Sequence, residues 1–211
     1  MQRLVLRYGY GYFMRTFLRM FVGVRFDNAR FLLNEKQFII VANHNSHLDT
    51  MTIMSSLPRS IIHKVRPVAA VDHFGKTAWS TKFSNFFVNT LLIQRKRDKD
   101  KPENDPITKM VKAIDDGYSL ILFPEGTRGD PEVQQQLKPG VAFVLNHRPH
   151  IKYVPVFMKG MGKAMPKHDS LIVPFSSTII FGKPTAIAPG QEVASILAQI
   201  EADFQSLRER R

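Results

Sequence analysis

The chain contains no cysteine. Disulfides, thiolate metal sites and covalent catalysis through a thiol are thereby excluded, so any chemistry must use oxygen and nitrogen groups. Long apolar runs are also missing: nothing approaches the ~18 uninterrupted residues that mark a membrane-spanning helix. The opening MQRLVLRYGYGYFMRTFLRMFVGVR has no clean apolar stretch ahead of a small-residue cleavage site, so neither a spanning helix nor a signal peptide is expected. Acids are scarce, with 18 Asp and Glu against 30 Lys and Arg, a formal charge of +12. Such a field attracts polyanions and leaves nucleic acid, anionic lipid and phosphorylated small molecules open. Neither zinc-finger spacing nor an RNA-binding aromatic signature is present, so a nucleic-acid partner would rest on charge and 16 phenylalanines alone and is not expected.

What is present is an ordinary globular composition, 44% apolar and 23% charged over 211 residues, enough for one well-buried core. Residues 1–26 hold five arginines (Arg3, Arg7, Arg15, Arg19, Arg25) and no acid. On a helical wheel these fall opposite Leu6, Tyr10, Phe13, Phe17 and Met20, a basic amphipathic pattern of the kind that lies in a lipid interface. Gly9 and Gly11 weaken one continuous helix. The same pattern also fits a helix packed on the protein's own core, and both readings stand.

From residue 27 onward, strand-like runs alternate with helical ones. Gln37–Ala42, Arg66–Val71, Leu91–Ile93, Tyr118–Phe123, Lys152–Met158 and Leu171–Phe181 read as strands. Helices are predicted from Ser46 to Leu57 before Pro58, over Trp79–Val88, over Ile107–Asp116 before Gly117, and over Val193–Leu207. The charged stretch Arg95–Pro106 reads as a solvated connection. The alternation predicts a single α/β domain over 27–211, with a mixed, largely parallel sheet flanked by helices and an N-terminal amphipathic helical segment before it.

His44 and Asp49 are five positions apart, which on a regular helix turns them about 140° away from a shared face. They converge only if His44 sits in the strand-to-helix turn and Asp49 in the first helical turn. Asp49 can then fix one imidazole nitrogen while the other accepts a proton from a substrate hydroxyl. Two further readings fit the same residues. Ser46-His47-Leu48-Asp49 has capping-box spacing, in which Asp49 merely satisfies a backbone N–H, and His44, His47 and Asp49 are metal-ligand types, although no second cluster supports a metal. Downstream, Phe123-Pro124-Glu125-Gly126-Thr127-Arg128 ends a buried strand where open α/β sheets bind ligands. Arg128 can grip a phosphate bidentately, Thr127 adds a hydroxyl and Gly126 permits close backbone approach. Arg95 can supply a second positive group.

Together, Asn43-His44-Asn45-Ser46-His47-Leu48-Asp49, Leu92-Ile93-Gln94-Arg95, Phe123 to Arg128 and Val154-Pro155-Val156 resemble the four ordered blocks of the glycerolipid acyltransferases, whose best-known members acylate lysophosphatidate. The likeness runs from about Phe38 to Phe157. It implies that His44 is the general base and Asp49 its partner, and that Arg95, Glu125 and Arg128 bind the glycerol phosphate portion, to which the reading of the third segment adds Gly126 and Thr127, with Pro155 shaping the pocket. It also implies a lysophospholipid acceptor, an acyl-CoA or acyl-carrier-protein donor as co-substrate and no acyl-enzyme intermediate. No metal or cofactor is expected, and the basic N-terminus without a spanning helix or signal peptide leads us to expect residence on the cytoplasmic face of a membrane. Asn89-Thr90-Leu91, Gln94 and Gly129 depart from the commoner residues of the second and third blocks, which leaves the acceptor open. No pattern in the chain sets an oligomeric state.

Overall fold

The computed structural model describes residues 1–71, 88–94, 104–130, 133, 135–165 and 173–210. Seven strands form its sheet: β1 (Val24–Phe26), β2 (Phe38–Ala42), β3 (Val65–Ala70), β4 (Leu91–Ile93), β5 (Ser119–Leu122), β6 (Lys152–Lys159) and β7 (Ser177–Phe181). Their order is β1-β7-β6-β2-β5-β3-β4. Every neighbouring pair is parallel except β6 with β7. This is the mixed, largely parallel sheet that the alternating pattern predicts. Gln37 falls outside β2, and of the run read from Leu171 to Phe181 the described part, from Val173, forms a strand only over Ser177–Phe181. β1 has just three residues, Val24-Arg25-Phe26, whose single alternation is too short to announce a strand.

Helices cover both faces. α1 (Gln2–Tyr8) and α2 (Arg15–Phe17) belong to one helical stretch, residues 2–22, interrupted by π-helical turns at Gly9–Met14 and Leu18–Val22. α3 (Asp49–Ser56) follows β2, and α4 (Pro106–Asp115) precedes β5. α5 (Gly140–His147), the short α6 (Met161–Ala164) and α7 (Val193–Glu209) complete the set. α4 starts where its sequence says it should: the Asp105 side chain accepts from the Thr108 N–H and Pro106 occupies the first turn. Gly117, at φ 92°, supplies the left-handed residue that ends it. α5 and α6 have no counterpart in the sequence reading. The expected helix at Trp79–Val88 lies outside the described residues except for its last position, and most of the Arg95–Pro106 connection lies outside them as well.

β2 is buried along its whole length and divides the core by alternation. Phe38, Ile40 and Ala42 face one cluster with Leu6, Tyr10, Leu18 and Val22 of the N-terminal stretch and Ile53 and Met54 of α3. Ile39 and Val41 face the other, built from α4, α5 and α7. The N-terminal stretch therefore packs on the core, as one of the two readings has it, but with a different face. Leu6 and Tyr10 are buried, whereas Phe13 and Met20, placed beside them on the ideal wheel, are 73% and 72% exposed. The π-helical turns are the cause, because each i→i+5 turn takes in an extra residue and rotates the following register by about 100°. Arg15 leaves the basic face for the same reason: its guanidinium donates to the Ser55 carbonyl at 2.8 Å and covers the Phe26 ring.

Candidate active site

β2 and β5 are parallel neighbours with Val41 opposite Leu122, so both chains leave the sheet at the same edge. One exit is Asn43–Leu48, and the other is Phe123–Arg128. Asn43 prolongs the β2–β6 pairing with its side chain, which donates to the Met158 carbonyl at 3.0 Å and accepts from the Met158 N–H at 2.7 Å. The backbone is thus fixed where the turn toward α3 begins.

His44 and Asp49 meet in that turn. His44 Nδ1 lies 2.9 Å from Asp49 Oδ2, and the same oxygen accepts the backbone N–H groups of Asn45 (2.7 Å) and Ser46 (2.8 Å). The capping and catalytic readings therefore describe one atom. Asp49 stands at the first residue of α3 and reaches back to satisfy the turn while holding the imidazole. It is fully buried, and its Oδ1 has no hydrogen-bond partner among the described residues. Ser46 Oγ ties the turn to the chain after α6 by donating to the Met165 carbonyl at 2.9 Å. His47 does not join His44 and Asp49, because its ring meets the Arg128 guanidinium. No group of three or more His, Cys, Asp or Glu is placed to hold a metal among the described residues.

The third block wraps against this turn. Phe123 stacks on the His44 ring, the Gly129 N–H donates to the His44 carbonyl at 2.9 Å, and Gly126, at φ 72°, makes the bend whose N–H returns to the Phe123 carbonyl. Glu125 takes a different place from the one its resemblance implies. It is 2% exposed and does not line the cavity. Its Oε1 accepts the His44 N–H at 3.4 Å, and its Oε2 accepts from Gln135 Nε2 at 3.0 Å. Burial pushes its carboxyl up to about 7, against the lowering effect of those two hydrogen bonds. A carboxylate so engaged braces the turn, and as an anion it is a poor phosphate ligand. Gln135, which the sequence reading does not single out, also donates to the Thr127 carbonyl at 3.0 Å. No motif announces it; only its position beside the block reveals it.

A cavity of about 570 Å³ opens beside His44. His44, His47, Gly126, Thr127, Arg128 and Lys138 line its polar side, and Val68, Ala69, Ile93, Met110, Leu122 and Val141 are among its apolar walls. Gln94 of the second block is also on the wall, while Arg95 lies outside the described residues. Pro155 does not line the cavity. It sits within β6, opposite Val41 and against Gly182. A polar mouth with a base and an arginine, backed by apolar walls, suits an amphiphile that has an anionic head and an acyl chain.

Residues 23–178 match the sequence family described as Acyltransferase. Human 1-acyl-sn-glycerol-3-phosphate acyltransferase beta is 30% identical over 155 residues, covering 69% of this chain and 50% of the human protein. A lysophosphatidylcholine acyltransferase of Drosophila melanogaster is 26% identical over 127 residues, covering 59% of this chain and 21% of that protein. The chain thus spans half or less of the length of these two relatives. The crystal structure of the 1-acyl-sn-glycerophosphate acyltransferase PlsC from Thermotoga maritima superposes with a TM-score of 0.74 at 17% identity, over all of this chain and 80% of that one, and so shares the fold.

Proposed function

We propose, for a chain that belongs to the acyltransferase family, that it moves a fatty acyl group from a thioester donor to the hydroxyl of a lysophospholipid, 1-acyl-glycerol-3-phosphate, giving phosphatidic acid. The observation that carries the reading is the 2.9 Å contact between His44 Nδ1 and Asp49 Oδ2 at the mouth of an apolar-walled cavity. With Nδ1–H donated to Asp49, Nε2 is the nitrogen left to accept the acceptor's hydroxyl proton. The hydroxyl oxygen attacks the thioester carbonyl, and the tetrahedral intermediate collapses with cleavage of the C–S bond. The departing thiolate takes the proton from the imidazolium, whose charge Asp49 stabilises throughout. Oxygen attacks carbon directly, so no acyl-enzyme forms. Arg128 holds the phosphate, with Thr127 and the Gly126 backbone beside it. Either acyl-CoA or acyl-carrier protein can deliver the same thioester.

The N-terminal stretch, residues 1–26, which packs on the core and supplies β1, so that no separate domain begins at 27, docks the acyltransferase on the anionic, cytoplasmic face of a membrane. Leu4, Tyr8, Tyr12, Phe13, Met20 and Phe21 are all exposed, an apolar face that water alone does not favour. Burial chiefly, and then the charges of the nearby Arg3, Lys64 and Arg7, hold the His63 imidazole below its ordinary value. No helix of the described residues is long and apolar enough to cross a membrane.

Incubation of the purified protein with lysophosphatidate, lysophosphatidylcholine and other lysolipids, each with acyl-CoA and acyl-carrier-protein donors, tests the reaction by product mass. Phosphatidic acid is the expected product. Formation of phosphatidylcholine alone would move the acceptor, and no acylated product from any pair would end the proposal.

A further inference from the structure

Lys138 carries a charge on the cavity wall that the reaction above leaves unused. It precedes α5 by two residues, outside all four blocks of the family resemblance. Its backbone N–H donates to the Pro124 carbonyl at 2.7 Å, and the preceding Leu137 is buried, so its Cα is fixed beside the third block. Its stem runs over Gly126: a Cβ built there would stand 2.9 Å from Lys138 Cδ and 2.7 Å from Nζ. The glycine thus serves two ends, a positive φ and room for an ammonium directly over the bend that carries Thr127 and Arg128.

Among the described residues that ammonium has no ion-pair partner. Glu125, the carboxylate on the same bend, turns both oxygens inward, one to the His44 N–H and one to Gln135. Gln135 in turn holds the Thr127 carbonyl, so the segment bearing Lys138 and the block bearing Arg128 are joined. An exposed cation held over a pocket without an internal counterion is complementary to an anion brought by a ligand.

We infer that Lys138 and Arg128 together form a site for a phosphate monoester at the mouth of the cavity, an inference that rests on the acyl-transfer reading. A phosphate monoester carries close to two negative charges, and the two residues meet it differently. Arg128 offers a planar fork and sets direction, whereas Lys138 offers a compact point charge and neutralises what the fork leaves. Such a phosphate can belong to the acceptor's headgroup or to the 3′-phosphate of a CoA donor.

The test uses Lys138→Met, which keeps the stem and removes the charge, and Lys138→Arg, which restores a cation. For each protein kcat/KM is measured with lysophosphatidate and with monoacylglycerol, and with acyl-CoA and acyl-dephospho-CoA, which lacks only the 3′-phosphate. An acceptor phosphate predicts that the lysophosphatidate-to-monoacylglycerol ratio falls about tenfold in Lys138→Met and recovers largely in Lys138→Arg. A donor phosphate predicts the same fall in the acyl-CoA-to-acyl-dephospho-CoA ratio instead. If neither ratio moves, the site does not exist. Binding of sn-glycerol 3-phosphate, followed by NMR of the ligand, separates this inference from the reaction. Wild-type protein that binds it more tightly than Lys138→Met but acylates nothing would sink the reaction and keep the site. Turnover together with equal binding by both proteins and with neither ratio moved would do the reverse.

Discussion

Phe123 lies flat against His44, their ring centroids 4.1 Å apart and their planes 21° from parallel. Asp49 holds one edge of the imidazole and Phe123 one face, so the ring arrives at the cavity already oriented. His44→Ala should lower acyl transfer by about 10²-fold or more, the scale of a lost general base, with an unchanged melting transition. Phe123→Ala keeps the base and loosens its aim, so kcat should fall by about tenfold while KM stays near wild type. Steady-state assays beside thermal melts check both, and a folded His44→Ala protein within a few-fold of wild type would remove His44 from the chemistry.

Asp49 Oδ2 takes three donors at once, so its replacements should separate charge from scaffolding. Asp49→Asn keeps an oxygen for the two backbone N–H groups but loses the charge that supports the imidazolium. Turnover should drop sharply with a modest loss of stability. Asp49→Ala leaves buried donors without an acceptor, at about 1–3 kcal/mol each, and should melt several degrees lower. Equal melting temperatures for the two variants would argue against the bracing role.

Arg128→Lys keeps the positive charge and loses the two-pronged grip. Acceptor KM should rise more than donor KM. A rise confined to the donor would reassign the guanidinium to the thioester substrate.

Burial raises the Glu125 carboxyl from its ordinary 4.5 to about 7. Between those values the folded protein holds a proton that the unfolded chain has released, so this group's contribution to stability is complete at low pH. It is lost as pH rises through the folded value. At ~1.4 kcal/mol per unit of displacement the loss amounts to at most about 3.5 kcal/mol. Urea unfolding at pH 5 and pH 8 should therefore show a larger decline for wild type than for Glu125→Gln. Identical declines would place the titration elsewhere.

On the N-terminal stretch, Met20→Asp with Phe21→Asp changes only exposed side chains. This pair should weaken binding to anionic vesicles without lowering the melting temperature. A chain starting at Arg25 should instead lose its cooperative transition, because Leu6, Tyr10, Leu18 and Val22 go with the deletion. Undiminished sedimentation of the double variant with vesicles would defeat the docking proposal.

Much of the architecture is legible in the sequence because buried strands such as Phe38–Ala42 and Ser119–Leu122 are short apolar runs ending in turn residues. The meeting of His44 with Asp49 is legible too, since only a turn followed by a helix start lets that spacing converge. The face of the N-terminal helix is not, because a wheel at a fixed 100° has no means of anticipating i→i+5 turns. Nor are the partners of Glu125: its neighbours in sequence are on the cavity wall while its own side chain turns beneath them. Gln135 and Lys138 escape notice because their roles come from lying beside the third block, a relation that no local pattern encodes.

The two-faced N-terminal helix also bears on how the protein behaves at the bench. Its exposed aromatic and aliphatic residues cannot be trimmed away without opening the interior, so shortening the chain is no route to a more soluble preparation. Concentrated stocks in plain buffer should self-associate and then disperse on adding a mild detergent or small lipid discs. The remedy for crystallisation is to repaint that helix with charged residues at Met20 and Phe21 and leave its length intact.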